Sequence, residues 1–310
     1  MMLTAKNLHD VESVDSRVLG AIRLVDQATG VPLIVPATIV PQAATIVEPA
    51  PPGPPAVIQE LPLGPGAIHV RQNRRGWFVV FRAPLFDTYT QAFLAPAAPP
   101  ELSGTQKLRL RFAITDAGPQ HLPRTFELLL PRALNPDEPE NVFTPLTIAL
   151  LRAPAATRAE GWAALRVRVA SNATGSTLPG VLLRVFRRPR PANAVPLGIG
   201  LTEWRDEHTR GEALVPLPGL LRFAPGSGAN VLETTHAIEI EATRDQTFPD
   251  PNDGTPPVDQ IPDVDHLLAG IGATVVRRVS PPGAPAFAMT PPGPLTIAAG
   301  HELALDLTMP

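Results

Sequence analysis

Forty prolines punctuate this 310-residue chain from Pro32 to Pro310, and that spacing is the strongest limit on what it can build. Proline removes a ladder N–H and clashes with the preceding turn of a helix, so long helices are excluded almost everywhere. With 23 glycines the two residue types make about one position in five, short of the quarter or more of a disordered low-complexity chain. Apolar residues at 44% and charged residues at 18% give enough material for a core. A helical bundle and a parallel α/β enzyme are both disfavoured, which leaves short strands.

The strands are legible as a period of two. Residues 17–25 alternate into the turn Asp26-Gln27-Ala28-Thr29-Gly30, followed by a second apolar run, 31–40. Residues 76–81 form a short buried run. In 107–116, Leu108, Leu110, Phe112 and Ile114 share one face, and Arg109, Arg111 and Thr115 the other. Further strands are expected at 125–130, 164–170, 181–187, 236–242, 272–278 and 303–308. One short helix is expected at 262–270, with Pro262 early and Gly270 as its stop, and a weaker one at 87–95. Proline-dense stretches at 45–66, 96–104, 131–145 and 249–262 read as stiff, extended connections.

The chain also echoes itself. With Thr29-Gly30 set over Thr174-Gly175, GAIRLVDQATG lies over LRVRVASNATG without a gap. Downstream, GWFVVF answers EALVPL at 212–217, and LRLRFAITD answers HAIEIEATRD. The expected fold is therefore all-β: two antiparallel β-sandwich domains with long proline-rich loops and little helix. The expected organisation is an N-terminal arm at 1–12, a first sandwich at 13–135 with a proline-rich insert at 41–66, a linker at 136–160, and a second sandwich at 161–310.

Asp26, Thr29 and Gly30 with Pro32-Leu33 resemble the turn chemistry of the carboxypeptidase regulatory-like domain, a transthyretin-like (prealbumin-like) sandwich. In the second half the matching residues are Asn172, Thr174, Gly175, Leu178-Pro179-Gly180 and Leu217-Pro218-Gly219. The resemblance covers patches of about half the chain and carries no catalytic residue. It departs from the family at the insert 41–66 and at Gly211-Glu212, which replaces the family's Asp-x-x-Gly hairpin. It implies a structural or adhesive module, of a kind also found among accessory proteins of phage-tail-like contractile injection particles.

Catalytic and metal chemistry was sought by motif. With no cysteine, disulfides, thiolate metal sites and cysteine nucleophiles are excluded. His9 and Glu12 spell H-x-x-E in the expected arm, with no partnering histidine. Glu203, Asp206, Glu207 and His208 cluster around Trp204, either as an acid–base pair or as a solvated hairpin tip. Pro225-Gly226-Ser227-Gly228 lacks the first glycine of a nucleophile elbow, and Gly198-Ile199-Gly200 is too little for a dinucleotide loop. Asp245, Asp250, Asp253, Asp259, Asp263 and Asp265, with Asn252 and Gly254, either bind calcium or form a solvated loop whose acids cap the helix.

Net charge is −3 and the pI about 6.2, so no nucleic acid or anionic-membrane partner is expected. Arginine supplies all but two (Lys6, Lys107) of the basic residues, a mark of GC-rich coding. Arg71, Arg74 and Arg75 near Trp77, and Arg187, Arg188 and Arg190 near Phe186, are either solvated or meet acidic patches on a neighbouring subunit. Asn172-Ala173-Thr174 is a glycosylation sequon, meaningful only on secretion. Acids at Asp10, Glu12 and Asp15 break up any signal peptide, and no membrane insertion is expected, so the expected location is the cytoplasm or a particle assembled there. The expected function is a non-enzymatic structural or adaptor subunit of a bacterial assembly, most of all a phage-tail-like contractile particle, with no cofactor, no metal and no catalytic residue, and with other subunits as partners met through sheet edges and the proline-rich arms 1–12 and 41–66. The alternative is a module binding calcium, carbohydrate or peptide through the loop 245–265.

Overall fold

A computed structural model describes residues 18–48, 56–64, 66–82, 106–115, 118–133, 135–220, 235–245, 248, 260–269, 274–278, 288–290 and 295–309. Within these the chain is all-β, with four sheets, none closed into a barrel. The first sandwich pairs two four-stranded sheets. One has the order β4 (His69–Gln72), β5 (Phe78–Arg82), β1 (Gly20–Asp26), β8 (Leu146–Leu150). The other runs β3 (Ala56–Leu61), β2 (Thr38–Glu48), β6 (Lys107–Thr115), β7 (Arg124–Leu130).

Alternation fixes which faces meet. On β6, Leu108, Leu110, Phe112 and Ile114 are buried completely, while Lys107, Arg109 and Arg111 stay outside. Phe112 stacks on Phe126 of β7 with centroids 5.3 Å apart. Ile22 and Leu24 of β1, Val80 of β5 and Leu150 of β8 close the core from the opposite sheet. Each such side chain contributes about 1.5–3 kcal/mol of burial.

The second sandwich repeats the plan. One sheet orders β12 (Glu212–Leu217), β9 (Ala163–Ser171), β17 (Glu302–Met309), β15 (Ala288–Thr290). The other orders β11 (Gly198–Leu201), β10 (Val181–Arg187), β13 (Thr235–Asp245), β14 (Thr274–Arg278), and β16 (Thr296–Ala298) pairs the start of β13. Leu165, Val167, Leu183, Val185, Val215 and Ile240 lie in its core.

The turn after the first strand is built alike in both halves. Gly30 N donates to Asp26 O (2.7 Å) and Leu33 N to Leu24 O (2.9 Å). At the matching positions Gly175 N donates to Ser171 O and Leu178 N to Val169 O, both 2.8 Å. Gly30 and Gly175 have φ of 69° and 70°, the left-handed region that a side chain adopts only with strain.

Three features differ from the sequence expectation. The segment 41–66 is no arm. Most of it forms β2 and β3, and Ala44 and Val47 are buried. Pro41 is tolerated inside β2 because the register slips between Pro41 and Ala43, a bulge that spares the missing N–H. The stretch 136–160 is not all linker either, since it contains β8. The sheets are also not wholly antiparallel: β8 lies parallel to β1, and β17 parallel to β9. In the first half the chain crosses from the far sheet through 131–145 before β8, and such a crossover permits a parallel entry.

Candidate functional site

The most constrained polar constellation is at the end of β1. Asp26 is 3% exposed. Its Oδ1 accepts from Ala28 N (2.9 Å) and Thr29 N (3.1 Å), as an Asp-x-x-Thr turn requires. Its Oδ2 accepts from Arg152 Nη2 (2.7 Å) and Nε (3.0 Å), and His121 Nε2 lies at 3.5 Å. Arg152 in turn stacks over Trp162, 5.4 Å from its centroid. One carboxylate therefore ties β1 to the connection between β6 and β7 and to the segment after β8 that leads into the second sandwich. Asp26 is legible as a turn residue; its partners, 95 and 126 positions away, are not.

The two sandwiches meet across a second cluster. Leu122, Leu151 and Ala153 pack with Leu182, Leu201, Trp204, Val264 and Leu267. Trp204 is 1% exposed, and its indole N–H is buried without a partner among the described residues. The helix α1 (Val264–Ala269) seals this seam. Asp263 caps it, accepting from His266 N at 3.1 Å, while its Oδ2 pairs with Arg111 of β6 at 3.0 Å. Asp265 pairs with Arg124 of β7. Beside the helix lies a cleft of about 430 Å³, lined in part by Gln42, Arg111, Thr125, Asp245, Asp263 and His266.

The described part of the acidic loop thus faces cations of the first sandwich. Asp263 and Asp265 neutralise Arg111 and Arg124, which draws two of the six carboxylates away from the calcium reading. Among the described residues no group of three or more His, Asp or Glu could hold a metal. Asp250, Asn252, Asp253, Gly254 and Asp259 lie outside the described residues, as do His9, Glu12, 87–95 and Pro225–Gly228.

The tip around Trp204 is a knitted turn. Glu203 is 4% exposed, and its Oε1 accepts from Trp204 N, Arg205 N and Arg205 Nε, all at 3.0 Å. Arg205 Nη2 reaches its other oxygen at 3.0 Å, so both carboxylate oxygens of Glu203 are paired with Arg205. Asp206 accepts from His208 N (3.0 Å), which holds its carboxyl below the usual range, helped by Thr209 Oγ1 at 3.2 Å. His208 meets Asp206 through its backbone N–H.

Gly198-Ile199-Gly200 is β11, and its glycines serve packing. A Cβ at Gly198 would strike the Pro216 carbonyl of β12, and one at Gly200 would lie 2.9 Å from Leu214 O. Bare backbone lets β11 close that side of the sandwich.

The two arginine groups differ. Arg190 stacks over Phe186 at 3.4 Å and pairs with Glu241 (2.8 Å) and Glu239 (3.5 Å). Arg184 also pairs with Glu241, which is 2% exposed. Arg187 meets His236 at 3.4 Å. In the first half Arg71 lies over Phe81, 5.4 Å from its centroid, while Arg74 and Arg75 are exposed at the tip between β4 and β5.

Sequence reasoning missed the strand β3 as a surface. It is the outer strand of its sheet, with Val57 51% and Ile58 50% exposed. Two adjacent β-branched residues are its signal, hidden between proline clusters. Comparison with family models, curated proteins and solved structures found no match.

Proposed function

We propose that this chain is a non-enzymatic structural or adaptor subunit of a bacterial macromolecular assembly, meeting its neighbours through the first sandwich. The observation that carries this reading is β3. Its outer edge is unpaired among the described residues, and Val57 and Ile58 stand half exposed beside it. Soluble proteins blunt such edges, and here short length, Glu60 and the prolines that precede and follow the strand (Pro55 and Pro62) do so. An edge of this kind accepts an extended strand from another chain, with main-chain bonds giving affinity.

The acidic and basic groups the sequence offered for catalysis support the same reading. Glu203, Asp263 and Asp265 are each consumed by an arginine inside the fold. Pairing of that kind rigidifies a body that must present fixed surfaces. The resemblance to carboxypeptidase regulatory-like modules points to a phage-tail-like contractile particle as the kind of assembly.

The test is the native size of the tagged chain after gentle lysis, followed by negative-stain microscopy. Recovery in a tube, ring or sheathed particle supports the subunit. Recovery only as a free monomer overturns it.

A further inference from the structure

We infer that copies of this chain dock head to tail, the acidic loop before β8 of one copy entering the basic groove beside β4 and β5 of the next. This rests on the subunit reading above and names the first partner, a second copy. The basic side spans Ala67 to Phe81, which holds Arg71, Arg74 and Arg75 and no acidic residue. None of the three arginines forms an ion pair among the described residues. Arg71, Val79 and Phe81 line a groove of about 290 Å³ there, with Gln72 and Asn73 at its polar end. Unpaired guanidiniums around an aromatic floor suit a carboxylate-rich segment carrying an aromatic anchor.

The chain itself presents such a segment. Asp137, Glu138 and Glu140 sit in the exposed loop 135–140, and none forms an ion pair among the described residues. Phe143 follows, 67% exposed. The loop is pre-formed around Asn141, which is 2% exposed. Asn141 Nδ2 donates to Pro136 O (3.0 Å) and Glu138 O (2.6 Å), and its Oδ1 accepts from Phe143 N (2.9 Å) and Thr144 N (2.7 Å). Burial lowers the pKa of the neighbouring Arg132 and Glu140 opposes that effect; Asp137 and Glu138 are exposed beside it. A rigid acidic knob with an aromatic tip loses little entropy on docking.

The charged tip and the knob are set apart within one chain. Gln72 pairs Phe78, Phe78 pairs Ile22, and the tip 73–77 lies beyond them, toward the Asp26 end of β1. Leu146 also pairs Ile22, but in parallel, so residues before it lie toward the Gly20 end. The arginine tip and the knob therefore lie toward opposite ends of one sheet, on opposite sides of β1, and the groove runs back from that tip along β5 through Val79, which pairs Ala21. Complementary patches so placed make a heterologous contact, which grows a ring or a filament.

Sedimentation of the purified full chain tests this at about 30 mM and about 500 mM salt, either side of a ~10 Å Debye length. The wild type should self-associate at low salt and weaken at least about tenfold at high salt. Arg74→Ser with Arg75→Ser removes the charges at the tip beside the groove, and Asp137→Asn with Glu138→Gln and Phe143→Ser removes the knob. All five positions are exposed, and unchanged melting confirms folding. Each variant alone should stay monomeric, while an equimolar mixture should give dimers and nothing longer, since one native contact survives.

A monomeric wild type at low salt overturns the inference, and so do variants that associate like the wild type. Binding of a labelled single-stranded DNA that is lost in the groove variant, without self-association, also overturns it and reassigns the groove to nucleic acid. If the tagged chain sits in a large particle yet the pure chain is monomeric, the subunit reading survives and self-docking alone fails.

Discussion

The two sandwiches share a strand plan and treat their surfaces in opposite ways. β3 and β11 hold the same place beside β2 and β10. β11 is buried along its length, because Gly198 and Gly200 let it lie against β12. β3 has no glycine and stands exposed. The chain between β3 and β5 carries the arginine hairpin with no ion pair among the described residues. The matching chain between β11 and β12 carries Glu203 and Arg205, which neutralise each other. The repeat thus supplies a scaffold twice. Burial and charge pairing turn one copy inward and leave the other exposed.

The largest asymmetry to break is at the shared turn, where Asp26 stands opposite Ser171. Asp26→Ala removes the partner of Arg152, whose side chain is only 17% exposed, and frees two turn N–H groups. Stranding a largely buried charge costs about 3–5 kcal/mol. Ser171→Ala removes one bond from Ala173 N (3.2 Å), about 0.5–1.5 kcal/mol. Urea unfolding of both variants measures the gap. Equal losses would mean that Asp26 acts only as a turn residue.

The next comparison sets the two edge strands against each other. Gly200→Val drives a side chain into Val215 Cγ2, which a Cβ alone would approach to 2.7 Å, and should destabilise by about 1–3 kcal/mol or more. Gln59→Val on exposed β3 should change stability by no more than about 0.5 kcal/mol. It should instead lower solubility, by lengthening an apolar edge. Thermal melts and light scattering separate these outcomes, and a tolerated Gly200→Val would show that β11 is free to move off β12.

What the sequence disclosed follows from what is local. Strands β6, β9, β10, β13 and β17 appear within three residues of their expected bounds, because alternation is written into each. The helix at 264–269 lies inside its expected span, since Asp263 and Pro262 mark its start. β2 and β3 were hidden because Pro41 reads as a strand breaker until a bulge removes the demand for its N–H. The seam was hidden for another reason. Arg111 and Arg124 look like solvent-facing members of their strands, and only folding brings Asp263 and Asp265 to them, 152 and 141 positions later.

The smallest effect concerns the tip that replaces the arginine hairpin in the second sandwich. The bond from His208 N holds the pKa of Asp206 below its ordinary value of 3.8, with Thr209 adding to it. A depressed carboxylate pKa means that the unfolded chain takes up the proton first as pH falls. The stability from this group is therefore present above the ordinary aspartate range and lost as pH drops through the lowered value. Asp206→Asn keeps an oxygen acceptor for His208 N and removes only the charge. The wild type should melt slightly higher than the variant near neutral pH, and the two should converge in acid. A difference that persists unchanged to low pH would assign the turn's stability to hydrogen-bond geometry alone. The self-neutralised tip would then owe nothing to the Asp206 charge, and its contrast with the arginine hairpin would rest on Glu203 and Arg205.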